Sequence, residues 1–380
     1  MGMTPNSEII SWAINRAGKT IEDFVSISKY AEKWLTGEKV PTIKQLQKIA
    51  DKTHVPLAYF YGTTTPKMTL QIPDFRTTYN GSAEYPSPEL YETINLMQTR
   101  QDWLDFFLSD LEVDQIDFIG SYAGERDVSK VADTVKGILN LQSGWACRMG
   151  PDVAVRFLRS AIEAQGLYTC AGSYYHHNSR PYNVDEFRGF VLANSRAPII
   201  FINTRDSKSA QLFTLLHEFA HLLFNESGVD DMVYEASEKE NLCDSVAAQV
   251  LVPEYLVYEI FDQMSGEQAI DEIKHATKAS EIVCLRRAYE LNRISKDDYF
   301  RIYGEYKARL KAAPTSASKP SAETGPGYYK LKKSNLGKLF VDSIFEGIKS
   351  EKLMYKDAYS LTDMKAGSFE EFYKREGMLL

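Results

Sequence analysis

Apolar positions recur at helical spacing along most of this 380-residue chain, and only one short stretch carries the spacing of strands. Near the N-terminus, Ile10, Ala13, Ile14 and Ala17 line one face of a helix that Ser7 precedes and Gly18 ends. Thr20 caps a second helix with Asp23 in its first turn, a third spans Ser28 to Leu35 and stops before Gly37, and Thr42 with Gln45 opens a fourth through a capping box. No period persists from 64 to 86, where Thr, Pro, Gly and Ser cluster, so this segment reads as a linker. Helical spacing returns from Ser87 to Ala164, with Leu90, Ile94, Met97, Trp103 and Phe107 on the apolar face. FRGFVLA and APIIFIN, within 187–203, are β-rich runs separated by a turn-prone NSR and predict two neighbouring strands. A long, almost wholly apolar helix follows at 209–224. The segment 310–327 is low in large apolar residues and reads as a flexible tether. Beyond it, Leu336, Leu339, Phe340, Ile344 and Ile348 restore a helical period.

These elements predict an α+β protein, mainly helical, in five parts: a helical N-terminal domain (1–63), a linker (64–86), a central domain of bracing helices, small sheet and buried helix (87–309), a flexible linker (310–327) and a C-terminal helical appendage (328–380). Composition narrows what such a chain does. A formal charge of −8 argues against a protein that works by coating nucleic acid. The scattered Cys147, Cys170, Cys243 and Cys284 form no CxxC pair, which fits a reducing cytoplasm; neither a membrane span nor a signal peptide is expected.

The four to five short N-terminal helices resemble the helix-turn-helix domain of phage repressors, with SISKYAEKWLTGEKVP in the place of the recognition helix and its turn. Ser28, Lys29, Glu32 and Lys33 are the positions able to read bases there. The electrostatic footprint is thin, with 8 basic against 6 acidic residues over 1–63, so DNA binding competes evenly with a packing role. Lys330, Lys332, Lys333 and Lys338 form a second basic run, read first as a solvated face.

The chemistry concentrates in SAQLFTLLHEFAHLLF (209–224), which contains His217-Glu218-Phe219-Ala220-His221. Residues four apart share a helix face, so both imidazoles can reach one ion. Buried polar groups satisfied by backbone would explain one such residue; three at metal-ligand spacing, in a chain with 6 His, ask for a metal. A catalytic metal needs a third protein ligand and an open position. Downstream, Glu240 and Asp244 lie one turn apart at the start of a helix whose buried face carries Val246, Ala247, Val250 and Leu251. Glu240 is the favoured ligand, with Glu235 and Glu238 as rivals, and Asp244 can accept the free N–H of a ligating His. Glu218 projects beside the histidines as the general base. Tyr174, Tyr175, His176 and His177 form a donor-rich run able to steady an oxyanion or contact substrate, and an edge strand near the metal could hold a peptide by strand addition. Zinc is the expected ion, although the donor set also accepts manganese or cobalt.

In the order IPDFRT, EFRGFVLA, APIIFIN, FTLLHEFAHLLF, ENLCDSVAAQVLVP and GPGYYKLKKSNLGKLF, the chain resembles the ImmA/IrrE family of metallopeptidases. That resemblance implies a zincin-like domain with a gluzincin-type site: His217, His221 and Glu240 on zinc and Glu218 as base. It also implies selective cleavage of a repressor-type or antitoxin-like protein in a phage, mobile-element, toxin-antitoxin or stress setting. The family commonly has Asn where this chain has Asp244. A competing reading is a DNA-binding regulator or antitoxin-like sensor whose metal domain cuts nothing; another is a toxin whose proteolysis arrests its host.

Overall fold

The computed structural model describes residues 4–66, 86–176, 178–224, 233–312 and 326–377. Most of both expected linkers, IPDFRT within the first of them, and His177 lie outside the described residues. The chain divides into two compact units, Met1–Asn95 and Leu96–Leu380.

In the smaller unit, α1 (Ser7–Arg16) is capped by Asn6, whose side chain accepts from the Glu8 N–H, one residue before the expected boundary. The capping box of α4 (Ile43–Thr53) forms as the pattern requires: Thr42 accepts from the Gln45 N–H, and the Gln45 side chain accepts from the Thr42 N–H. Between them α2 (Glu22–Val25) and α3 (Glu32–Leu35) are single turns. The expected third helix from Ser28 is therefore shortened. The Ser28 hydroxyl accepts from the Tyr30 N–H and holds a turn there, so the helix begins only at Glu32. Ile9, Ile10, Ala13, Phe24, Trp34, Leu46, Ile49 and Phe60 form this unit's core. A long helix, α5 (Pro88–Asp110), follows.

In the larger unit, three short strands form one sheet in the order β1-β3-β2. β3 (Ile199–Asn203) lies in the middle, with β1 (Tyr168–Gly172) parallel to it and β2 (Gly189–Leu192) antiparallel. The two strands read from 187–203 are present and neighbours; β1 lacked alternation because all five of its residues are buried. Helices α6 (Val128–Ile138), α7 (Pro151–Glu163), α8 (Lys208–Leu223) and α9 (Val233–Leu251) enclose a continuous apolar core with the sheet. Helices α10 (Glu254–Gln263), α11 (Gly266–Thr277), α12 (Glu281–Glu290) and α13 (Lys296–Ala312) extend it. No helix among the described residues is long and apolar enough to cross a membrane.

The C-terminal helices α14 (Pro326–Leu336), α15 (Lys338–Lys349), α16 (Tyr355–Thr362) and α17 (Ala366–Glu376) pack within the larger unit. Buried side chains tie them down. Arg100 Nε donates to the Leu361 carbonyl at 2.7 Å, Arg159 Nη1 to the Ser334 carbonyl at 2.6 Å, and Cys170 Sγ to the Leu336 carbonyl at 3.4 Å. Gly337, at φ +85°, lets the backbone pass β1 so closely that a Cβ there would sit 2.2 Å from the Thr169 carbonyl oxygen.

Candidate metal centre

The site is built on α8, whose Ser207 side chain accepts from the Ala210 N–H. At the other end, the Gly120 and Tyr122 N–H groups donate to the Leu222 and Leu223 carbonyls, so this buried helix leaves those acceptors satisfied. Leu212, Leu215, Leu216, Phe219, Ala220, Leu222 and Leu223 are fully buried. Of its buried polar residues, Gln211 is a core group bonded to the Thr204 and Asp206 carbonyls. His217, Glu218 and His221 are buried too, at 9%, 2% and 8% exposure.

His217 Nε2 and His221 Nε2 lie 3.0 Å apart. Glu240 Oε2 is 3.2 Å from the first and Oε1 is 3.2 Å from the second. Those atoms surround a common point. Ligands about 2.0–2.1 Å from one tetrahedral ion stand roughly 3.3 Å apart, so the spacing suits a metal. Glu240 Oε1 is buried without a hydrogen bond of acceptable angle among the described residues, as for a lone pair aimed at an ion. The three residues group as a potential metal-holding set.

Glu240 and Asp244 lie in the middle of α9, which begins at Val233, two turns before the expected start; the face pairing is as expected. Cys243, Val246, Ala247 and Val250 are buried against the core and fix the rotation that turns Glu240 to the histidines. Glu238 is exposed, and the side chain of Glu235 lies outside the described residues. Asp244 Oδ1 is 2.9 Å from His217 Nδ1, close enough for a charge-assisted hydrogen bond but off the line of an N–H in this geometry. A proton held there leaves the Nε2 lone pair for an ion. Arg286 on α12, which the sequence did not single out, approaches the other oxygen of Asp244 at 4.0 Å and donates to Glu290 at 2.9 Å.

The electrostatics follow from this concentration of carboxylates. Burial pushes the His217 imidazolium down, but Asp244 and Glu240 override it and hold its pKa up at about 10. Burial raises the Glu240 carboxyl, and His217 and His221 pull it far below the ordinary carboxylate range. The site favours positive charge.

Gly189 is the second residue missed. A Cβ there would stand 2.4 Å from Thr214 Cγ2, 2.7 Å from the Phe201 carbonyl oxygen and 3.7 Å from Glu218 Oε1. The absent side chain brings the edge strand β2 against the face of α8 that carries Glu218.

Of the donor-rich run, Tyr174 bridges to Pro181, Tyr175 meets the His176 ring edge-on at 4.2 Å, and His176 Nδ1 pairs with Asp363. Only the last of these contacts reaches the C-terminal region, and none of them involves His217, His221 or Glu240. In the smaller unit, Lys33 pairs with Glu38 at 3.0 Å and Lys29 lies over the Tyr30 ring at 5.1 Å.

Residues 173–289 match the IrrE N-terminal-like domain family, Peptidase_M78. The match takes in β2, β3, α8, α9 and all but the last residue of α12, and so contains Gly189, His217, Glu218, His221, Glu240, Asp244 and Arg286. It supports a metallopeptidase of the ImmA/IrrE family. Residues 336–375, covering α15 to α17, match a domain of unknown function, DUF8813. No curated protein matches the chain.

Proposed function

We propose that this protein is a zinc-dependent endopeptidase that works in the cytoplasm and selectively cleaves a regulatory protein of the repressor or antitoxin type, in a phage, mobile-element, toxin-antitoxin or stress-response setting. The observation that carries the reading is the convergence of His217, His221 and Glu240 within 3.2 Å, with Glu218 on the same buried helix. Two imidazoles and one carboxylate are the donor set of catalytic zinc, and they leave a coordination position open. When bound there, the ion supplies Lewis acidity to water and to a peptide carbonyl.

The protein's own groups do the rest. Asp244 fixes the tautomer and direction of His217. Glu218 takes the proton of the attacking water on its carboxylate and returns it to the departing amine, one site serving both halves of the hydrolysis. The surrounding apolar helix keeps that carboxylate away from bulk water. β2, an edge strand beside Glu218, offers backbone groups to an extended peptide, which suits an endopeptidase cutting within a chain. The helical N-terminal unit, similar to a repressor domain, supports a regulatory substrate over bulk proteolysis, and it can bind DNA or that substrate.

The test incubates the full chain with repressor-type proteins encoded beside it, with and without chelator and with Glu218→Gln. We expect cleavage that chelation abolishes and that Glu218→Gln slows by at least about 10²-fold. Cleavage at the wild-type rate by Glu218→Gln refutes the mechanism. Specific DNA binding at moderate salt with no partner ever cut favours the non-proteolytic regulator instead.

A further inference from the structure

A cavity of about 580 Å³ close to the catalytic helix holds none of the three converging donors. It lies between α7, the loop from β3 into α8, residues Ser173, Tyr174, Asn178 and Pro181, and α14. Lys208, on its wall, is nine residues before His217 on α8, about 14 Å along the helix axis.

Four cations and a single carboxylate line it, in a chain whose overall charge is −8. Asp152, Arg156 and Arg159 occupy one face of α7 at helical spacing, and Arg205 and Lys208 approach from the opposite wall. Arg159 is the floor: its three nitrogens donate to Thr169 Oγ1, the Thr169 carbonyl and the Ser334 carbonyl. Lys208 stands 3.3 Å from Asp152, and Arg205 Nη1 donates to the Tyr182 carbonyl at 2.6 Å. Arg156 has no partner among the described residues. Two arginines and a lysine thus converge on a space that a single acidic side chain does not neutralise. Ser173, Asn178, Gln211 and Asn335 add neutral donors and acceptors, and Tyr174 an aromatic surface.

We infer that this cavity binds a phosphorylated small molecule of nucleotide size, its phosphates held by Arg156, Arg205 and Lys208. Guanidinium forks match phosphate oxygens two at a time, which an exposed carboxylate partner such as Asp152 cannot prevent. The volume falls in the range of small-ligand sites and the walls are concave, which suits a compact ligand over a polynucleotide strand. Such a ligand would touch both the first turn of the catalytic helix and Ser334 and Asn335 of α14, joining the peptidase core to the C-terminal helices.

The test titrates ADP into the metal-loaded full chain by calorimetry, comparing wild type, Glu218→Gln and the double variant Arg156→Glu/Arg205→Glu. Both arginines are exposed, and circular dichroism with metal content establishes that the double variant is folded. We expect saturable binding that Glu218→Gln leaves unchanged, that the double variant weakens at least tenfold, and that added salt weakens progressively. Three results overturn the inference: no saturable binding to wild type, affinity within twofold in the folded double variant, or binding that disappears on chelation, which would put the phosphate on the metal. Tighter binding of a single-stranded oligonucleotide, lost in the same double variant, overturns it in favour of a nucleic-acid strand.

Discussion

In the metal site proposed above, what matters is which atom of each residue would face the ion, and we propose that Asp244 sets this for His217. Its carboxylate lies 2.9 Å from Nδ1, and on that proposal it directs the lone pair of Nε2 to the point shared with His221 and Glu240. Removing this partner in Asp244→Ala frees the ring to rotate and change tautomer. We expect metal affinity to fall about 10- to 100-fold, read by competition with a chromophoric chelator. Asp244→Asn keeps an acceptor oxygen but loses the charge that holds the His217 pKa near 10, so its loss should be smaller. Equal losses in the two variants would mean that charge, not direction, is what Asp244 contributes. Gly189 works through space. A methyl at this position meets Thr214 Cγ2 at 2.4 Å and the Phe201 carbonyl oxygen at 2.7 Å. Gly189→Ala should therefore cost about 1–3 kcal/mol of stability, measured by denaturant unfolding. Adding Thr214→Ser removes the first clash and leaves the second, so the double variant should recover only part of the loss. Full recovery would show that the strand can shift away from its partner.

At the scale of elements, what the sequence made legible and what it hid have separate physical causes. α8 could be read because a helix buried on nearly all sides has few alternatives, and its histidines sit at a spacing that only a helix makes useful. The capping box at Thr42 and Gln45 was legible because both halves of that motif are local. The Glu240/Asp244 face was legible from its four-residue spacing, but the start of α9 was not. Its first two turns carry YEASEKEN, with no apolar stripe, so nothing in the pattern separates helix from loop there. β1 escaped for the opposite reason, since five buried residues leave no polar alternation to count. Ser28 and Tyr30 broke a helix that periodicity alone would continue. Arg286 and Gly189 could not be found at all by motif: one reaches Asp244 from another helix, and the other matters for a side chain it lacks.

At the scale of the whole molecule, the low-complexity composition of 310–327 made the sequence suggest an appendage, yet residues 326–377 are fastened to the larger unit by groups that only the fold brings together. Lys332 is one of them. Within the sequence it belongs to a basic run that reads as a solvated face, whereas in the structure its ammonium is mostly buried, donating to the Asp363 carbonyl at 3.1 Å with the Asp363 carboxylate 3.9 Å away. Burial outweighs that carboxylate and lowers the Lys332 pKa to about 8 from 10.5. The sign follows from proton counting. Below pH 8 both folded and unfolded chains carry the proton, and the folded state bears the full cost of a buried charge, about 3 kcal/mol. Between pH 8 and 10.5 the unfolded chain keeps a proton that the folded chain has lost, so raising the pH favours folding and removes the cost. Lys332→Met keeps much of the stem's packing and has no proton to lose. We expect the variant to gain on the wild type at pH 7, less whatever the lost bond to Asp363 contributes, and the difference between the two proteins to move in the wild type's favour as the pH rises from 8 to 10. Urea unfolding of both proteins across that range measures it, followed through the transition of the larger unit. Parallel stability profiles would mean that Lys332 stays charged throughout, with enough water around it to remove the penalty.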